Sequence, residues 1–223
     1  MRPTRSVFVT GTDTGVGKTY VAQALLRAHV AAGRRAVGMK PVAAGIADGA
    51  AVNADVAALA AAGNVEAPLA DRNPYAFAPA VAPHLAAAAA GVAIDLEKIE
   101  AAFGRLAARA DIVVVEGAGG LLVPLGATSD MLDIASRLGL PVLLVVGMRL
   151  GCLNHALLSD QALRARGVKL AGWVANVVDS GMPMRDANVA ALVQRLAAPC
   201  VAVAEHGGAV LFTDQWLGGR EPC

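Results

Sequence analysis

Lys18 is the first residue whose surroundings suggest chemistry. It stands in Ser6-Val-Phe-Val-Thr-Gly-Thr-Asp-Thr-Gly-Val-Gly-Lys-Thr19. Val7 to Val9 read as a buried strand. Thr19 to Ala32 read as a helix, with Val21, Leu25, Leu26 and Val30 on one face and Gly33 closing it. A strand, a glycine loop and a helix opening with Lys-Thr can bind phosphate. Backbone N–H groups and the helix N-terminus face the anion, and the lysine adds a full positive charge. Thr19 is placed to hold Mg²⁺ through its hydroxyl. The strict pattern G-x-x-x-x-G-K-[ST] is varied here, because Thr12 stands where its first glycine belongs and Gly11 lies one residue earlier.

A second lysine and two carboxylates join it. The chain prefers arginine, and its only lysines are Lys18, Lys40, Lys98 and Lys169. A lysine kept where arginine is the rule suggests a need for a compact ammonium. Arg35 to Lys40 read as a strand, which delivers Lys40 to the carboxyl edge of a sheet, where ligands bind in open α/β folds. Ile112 to Val115 are a continuous apolar strand ending in Glu116-Gly-Ala-Gly-Gly120. A carboxylate there can reach Mg²⁺, directly or through water, and the glycines allow close approach to the backbone. Asp55 has two readings at this point. Asn53 caps a helix with Val56 and Leu59 on its buried face, and an acidic first turn suits the helix dipole without any other role.

The elements that must position these groups alternate along the chain. Ala43 to Val52 read as a mobile glycine-bearing loop and Pro68 to Pro83 as irregular. Leu85 to Gly91 form a short helix, and Asp95 caps another to about Ala108. Ser129 and Asp130 start a helix before the strand Pro141 to Val146. A long helix then runs to about Arg166, followed by the strand Leu170 to Val177, a helix over 184–197 and a short strand Val201 to Ala204. Strands apolar on both faces predict an α/β, three-layer fold, mostly parallel, with helices on both faces of the sheet, and the phosphate-type loop after the first strand makes the expected fold P-loop NTPase-like. No linker or repeat interrupts it, so a single domain over 1–223 is expected.

Composition narrows the function. Hydrophobic residues make up 56% of the 223 residues and charged residues 17%, which suits a globular enzyme and not a disordered chain. A net charge of +1 gives no nucleic-acid footprint. The longest apolar candidate, Ala80 to Ile94, is short for a bilayer and contains Pro83 and His84, so no membrane segment is expected. The chain enters its first strand without a signal-peptide pattern, and Cys152, Cys200 and Cys223 lack metal spacing. Together these predict a cytoplasmic protein.

The sequence resembles the dethiobiotin synthetases of biotin biosynthesis. The resemblance rests on Phe8 to Thr14 with Val16-Gly-Lys-Thr19, Lys40-Pro-Val-Ala43, Asn73-Pro-Tyr75, Pro83-His84, Val115 to Gly120, Leu150-Gly-Cys152 with Asn154-His-Ala156, and Ala171 to Asn176. It implies that ATP, Mg²⁺ and CO₂ act on 7,8-diaminononanoate. A carbamate and a carbamic–phosphoric anhydride then lead to dethiobiotin, ADP and phosphate. Lys40 and Lys18 are the implied catalytic residues. Thr14, Gly15, Val16, Gly17, Lys18 and Thr19 would hold ATP, with Asp55, Glu116, Gly117, Ala118, Gly119, Asn176, Val177, Glu205 and His206. Thr19, Asp55 and Glu116 would hold Mg²⁺, which for Asp55 favours function over the purely helical reading. Thr14, Lys40, Ala44 and Pro83 would face the diamine. Gly151, Cys152, Leu153 and Asn154 of a second subunit would take its distant carboxylate, which implies a homodimer. For Asn154, a role in only capping or packing the helix start is the alternative.

Gly15 stands where some members are acidic, and Ala44 where some have serine. The segment Ala202-Val-Ala-Glu205-His206 lacks the family's usual proline. Two other classes share the loop. Partition-type ATPase switches carry a signature lysine at the position held here by Asp13. Glutamine-dependent amide synthetases need a second domain with a cysteine nucleophile.

Overall fold

A computed structural model describes residues 6–205 and 208–217. Its main sheet has six parallel strands in the order β2-β5-β1-β6-β7-β8, comprising Ala36–Met39, Ile112–Glu116, Val7–Gly11, Val142–Met148, Leu170–Val177 and Cys200–Ala204. β1 lies between β5 and β6, with Val9 opposite both Glu116 and Leu143. The chain moves outward to β2 on one side and later to β6, β7 and β8 on the other. The crevice at β1 is therefore the switch point, where the carboxyl ends of the strands open onto a ligand site.

Alternation within β1 explains why both faces are covered. Val7 and Val9 pack with Val21, Leu25 and Leu26 of α1 (Lys18–Ala31) and Leu59 of α2 (Ala54–Ala62). Phe8 packs on the opposite face with Val113 and Val115, against Ile99 and Leu106 of α5 (Leu96–Ala107) and Met131 of α6 (Met131–Arg137). A third cluster joins Leu144, Val146 and Trp173 to α7 (Cys152–Ala165) and α8 (Arg185–Arg195).

Two expectations need correction. The loop expected over Ala43 to Val52 begins inside a strand, β3 (Val42–Ala44). The irregular stretch Pro68 to Pro83 contains the short helix α3 (Leu69–Arg72) and the strand β4 (Tyr75–Phe77). β3 and β4 pair in parallel as a separate small sheet, with Val42 opposite Tyr75. Strands of three residues are too short to display a period. The helix expected over Leu85 to Gly91 is α4 (Pro83–Ala89), so Pro83 opens it at a position where its missing N–H costs nothing. A four-residue helix, α9 (Asp214–Leu217), adds Trp216 beside Gly172.

Candidate active site

The glycine loop is built for close packing. Gly15 and Gly17 have φ of 73° and 87°, a region that favours glycine. A Cβ on Gly17 would lie 2.1 Å from Asn176 Nδ2, and one on Gly11 would lie 2.5 Å from Val16 Cγ2. The second clash explains why the first glycine is at 11: the buried Val16 side chain folds back on that position. Asn176 Nδ2 donates to the Val16 carbonyl at 2.7 Å and fixes the loop from the end of β7. α1 starts at Lys18 with no side-chain cap, which leaves its first N–H groups turned toward the cleft.

Lys18 is buried, and its Nζ donates to the Asp13 carbonyl at 2.9 Å. Burial, helped by the charge of Lys40, lowers its pKa to about 8 against the opposing pull of Glu116, Asp55 and Asp13. This ammonium is short of negative partners, as a phosphate-binding lysine should be before its anion arrives.

Lys40 follows β2 and is clamped through its backbone. Its N–H donates to the Arg72 carbonyl at 2.8 Å, and its carbonyl accepts from Asn73 Nδ2 at 2.7 Å. Its Nζ lies 2.7 Å from Glu116 Oε1 and 2.7 Å from Asp55 Oδ2. Burial opposes the charge on Lys40, but Glu116 and Asp55 outweigh it and raise the pKa, so the ammonium persists. Asp55 sits in the first turn of α2, whose cap Asn53 accepts from the Asp55 N–H at 3.0 Å. Asn53 Nδ2 donates to the carbonyls of Gly45 and Ala44 at 3.1 and 3.3 Å. Burial pushes the Asp55 carboxyl up, but Lys40, the Thr19 hydroxyl and Lys18 hold it below its ordinary value.

Thr19 Oγ1 donates to Glu116 Oε1 at 2.7 Å. Glu116 is fully buried, and its Oε2 has no hydrogen-bond partner among the described residues. An unpaired buried carboxylate oxygen is costly unless a cation completes it. Thr19, Asp55 and Glu116 offer only hard oxygens, the donor set of Mg²⁺. Among the described residues no group of three His, Cys, Asp or Glu side chains could hold a metal ion. A magnesium ion here would keep waters and take phosphate oxygens, as it usually does.

A cavity of about 770 Å³ joins these groups. Thr14, Gly15, Gly17, Lys18 and Thr19 line one side, Lys40, Asp55 and Glu116 the floor, and Ala118 and Gly119 the rim. Ala44 and Pro83 line the far wall with Ala80 to Ala82, and Tyr20 and Val123 complete the lining. Neither of these last two had been singled out from the sequence.

A family model described as an AAA domain matches residues 5–206. The chain is 55% identical over 199 residues to the ATP-dependent dethiobiotin synthetase BioD of Nitrosospira multiformis, covering 89% of this chain and 87% of that protein. It is 52% identical over 208 residues to the protein of the same name from Aromatoleum aromaticum, covering 92% of each. The chain belongs to the dethiobiotin synthetase family. Among solved structures, MinD of Aquifex aeolicus matches with a TM-score of 0.56 at 17% identity, over 91% of this chain and 82% of that one. The MinC:MinD complex of the same organism gives 0.54 at 15%, over 89% and 80%. At these identities the likeness concerns the fold alone.

Other residues that the dethiobiotin synthetase resemblance implies lie outside this lining. Val16 and Val177 are buried, and Gly117 packs against the Phe8 ring and Met131. Glu205 pairs with Arg185 at 2.9 Å, and His206 is outside the described residues. Gly151, with φ of 97°, is the N-cap of α7, so Asn154 does not cap the helix and stands exposed in its first turn with Leu153 half-buried and Cys152 buried. Sequence reading missed the clamps on the site. Asn73 entered only among the residues that carry the resemblance and inside a stretch expected to be irregular, and its partner Lys40 is 33 residues away in sequence.

Proposed function

We propose that this protein makes dethiobiotin from 7,8-diaminononanoate, CO₂ and ATP, releasing ADP and phosphate. The observation that carries the reading is Lys40 held between Asp55 and Glu116 beside an anion-binding loop, in a chain more than half identical to two dethiobiotin synthetases.

The chemistry follows from the charges. One amine adds to CO₂ and gives up a proton, leaving a carbamate. The carbamate oxygen attacks the γ-phosphorus and ADP departs. The second amine then attacks the carbamoyl carbon of the mixed anhydride and expels phosphate, with loss of a proton, closing the ureido ring. No covalent enzyme nucleophile is needed, so positioning and electrostatics carry the catalysis. Thr14 to Thr19 cradle the phosphates, Lys18 pairs with the terminal ones, and Lys40 faces the carbamate and the phosphoryl group in transfer. Thr19, Asp55 and Glu116 would hold Mg²⁺, which would supply positive charge to offset that of the phosphates. Ala44 and Pro83 face the diamine. On this reading Ala118 and Gly119 serve the phosphates, and Asn176, Val177 and Glu205 serve the base.

The same reading makes the protein a single-domain enzyme and a homodimer in which Gly151 to Asn154 of one subunit serve the other's cleft. Its support is an uncapped α7 N-terminus beside Leu150, which is 97% exposed. Residence in the cytoplasm belongs to the same proposal. Among the described residues no helix is long and apolar enough to cross a membrane, and Cys152 and Cys200 are free thiols.

The test is product formation by the purified protein. Diaminononanoate, bicarbonate and MgATP should yield dethiobiotin and ADP in equal amounts, with neither formed when the diamine is omitted. ATP hydrolysis that ignores the diamine would sink this reading in favour of a nucleotide switch.

A further inference from the structure

Asp13 lies on the phosphate loop and is engaged at every oxygen. Its Oδ1 accepts from the Thr14 N–H at 2.7 Å, and its backbone carbonyl accepts from Lys18 Nζ at 2.9 Å. Its Oδ2 accepts from Arg149 Nη2 at 2.5 Å. Arg149 belongs to the turn between β6 and α7, and its own carbonyl accepts from the N–H of Cys152, the first residue of α7, at 3.0 Å. One guanidinium thus ties the loop to the start of a helix on the other side of β1.

Both partners are nearly half exposed, at 43% and 46% of their side-chain surface. Ion pairs so open to water add little to global stability. The local consequence is larger. A carboxylate on a loop that receives a triphosphate repels its ligand, and the same residue's carbonyl sets where Lys18 points. We propose that Arg149 and Asp13 are a positioning pair for nucleotide binding. Arg149 neutralises the Asp13 carboxylate and holds the residue, so that its carbonyl presents Lys18 to the phosphates. This rests on the reading of the loop as the ATP site. It assigns a role to two residues that the phosphate-loop pattern itself leaves unspecified.

The electrostatics predict opposite signs for the two single variants. Arg149→Gln leaves an unpaired anion beside the phosphates, and Kd for a non-hydrolysable MgATP analogue should rise about tenfold. Asp13→Asn leaves a free cation there and should not raise Kd. It should lower kcat about threefold, because the charge-assisted anchor on the loop is gone. The double variant should bind the analogue within about threefold of wild type, since the second change removes the repulsion that the first uncovered. Arg149→Lys, which keeps the charge, should recover most of the binding. Thermal unfolding of all four should stay within about 4 °C of wild type.

The experiment is calorimetric titration and steady-state kinetics on the full-length protein. A double variant as weak as Arg149→Gln, or weaker, overturns the proposal, as does weakening that follows loss of thermal stability across the set. Wild-type protein that neither binds the analogue nor forms dethiobiotin overturns the functional reading and this proposal with it. Wild type that does both, with unchanged variants, overturns the pair alone.

Discussion

Lys40 and Glu116 meet because their strands are in register. Met39 of β2 lies opposite Val115 of β5, so Lys40, the first residue past β2, and Glu116, the last residue of β5, come at the same level and their side chains close to 2.7 Å. A shift of one residue in either strand would turn the pair to opposite faces. The buried valines of β5 therefore fix not only the core but also the distance between an ammonium and a carboxylate.

Replacing Lys40 tests that pairing. Lys40→Gln should lower turnover about 10²- to 10³-fold, the usual effect of losing one group that stabilises developing charge. It also leaves Asp55 and Glu116 facing each other without a cation. The variant should melt below wild type in EDTA and gain more thermal stability from Mg²⁺ than wild type does. Differential scanning fluorimetry with and without Mg²⁺ reads this, and an equal gain in both proteins would contradict the placement of the metal.

Glu116→Gln separates metal from substrate. The amide keeps the shape and an acceptor for the Thr19 hydroxyl, but loses the charge that suits a divalent cation. Half-saturating Mg²⁺ should rise about tenfold or more while KM for the diamine changes far less. A magnesium titration of initial rates decides it, and a superimposable curve would remove Glu116 from the metal site.

Nucleotide binding should take up protons. With a pKa of about 8, half of Lys18 is neutral at that pH in the free protein, and a bound triphosphate restores the charge. Uptake should therefore approach about half a proton at pH 8 and more at pH 9, with affinity falling as pH rises through this window. For folding the sign is opposite. The lowered folded pKa is a cost in full below pH 8 and is relieved as pH rises toward the unfolded value near 10.5, so this group alone favours stability at higher pH. Binding calorimetry in two buffers of different ionisation enthalpy measures the uptake, and zero at pH 8.5 would refute it.

Gly17→Ala puts a Cβ at a left-handed φ and against Asn176. It should cost about 1–3 kcal/mol in chemical denaturation and abolish measurable ATP binding. Asn176→Ala should cost a similar amount, about 1–3 kcal/mol, by leaving the Val16 carbonyl unpaired, and should weaken ATP binding without removing it. ATP binding at wild-type strength in both variants would show that the loop needs neither.

Mixing Lys40→Gln with Asn154→Asp, each expected to be inactive alone, tests the shared cleft. Under random exchange about half of the dimers are mixed and one of their two sites is intact, so about a quarter of wild-type activity should return. Demonstrated exchange without recovery would mean that each cleft is built from one chain.

The sequence made the phosphate loop legible because glycine, lysine and threonine stand where an apolar strand becomes a helix. Lys40 and Glu116 were legible for a similar reason, as charges ending apolar runs. The β3–β4 sheet was not, since Val42 to Ala44, between Pro41 and Gly45, and Tyr75 to Phe77, between Pro74 and Pro79, are each too short to show alternation. Nor were the amide clamps of Asn73 and Asn176, whose partners are backbone carbonyls that no side-chain pattern announces. Asp55 needed the fold most. Its helix-capping context is real, and only the third dimension brings it to Lys40.

Asn53 caps α2 with its carbonyl oxygen and holds Ala44 and Gly45 with its amide nitrogen. The helix that carries Asp55 and the wall that carries Ala44 are thus fastened at one side chain, and residues 46–52 run between two fixed points. That segment can lengthen, shorten or change sequence without altering the spacing between the acidic floor and the apolar wall. None of those residues lines the cavity, so variation there leaves the geometry of the reaction constant.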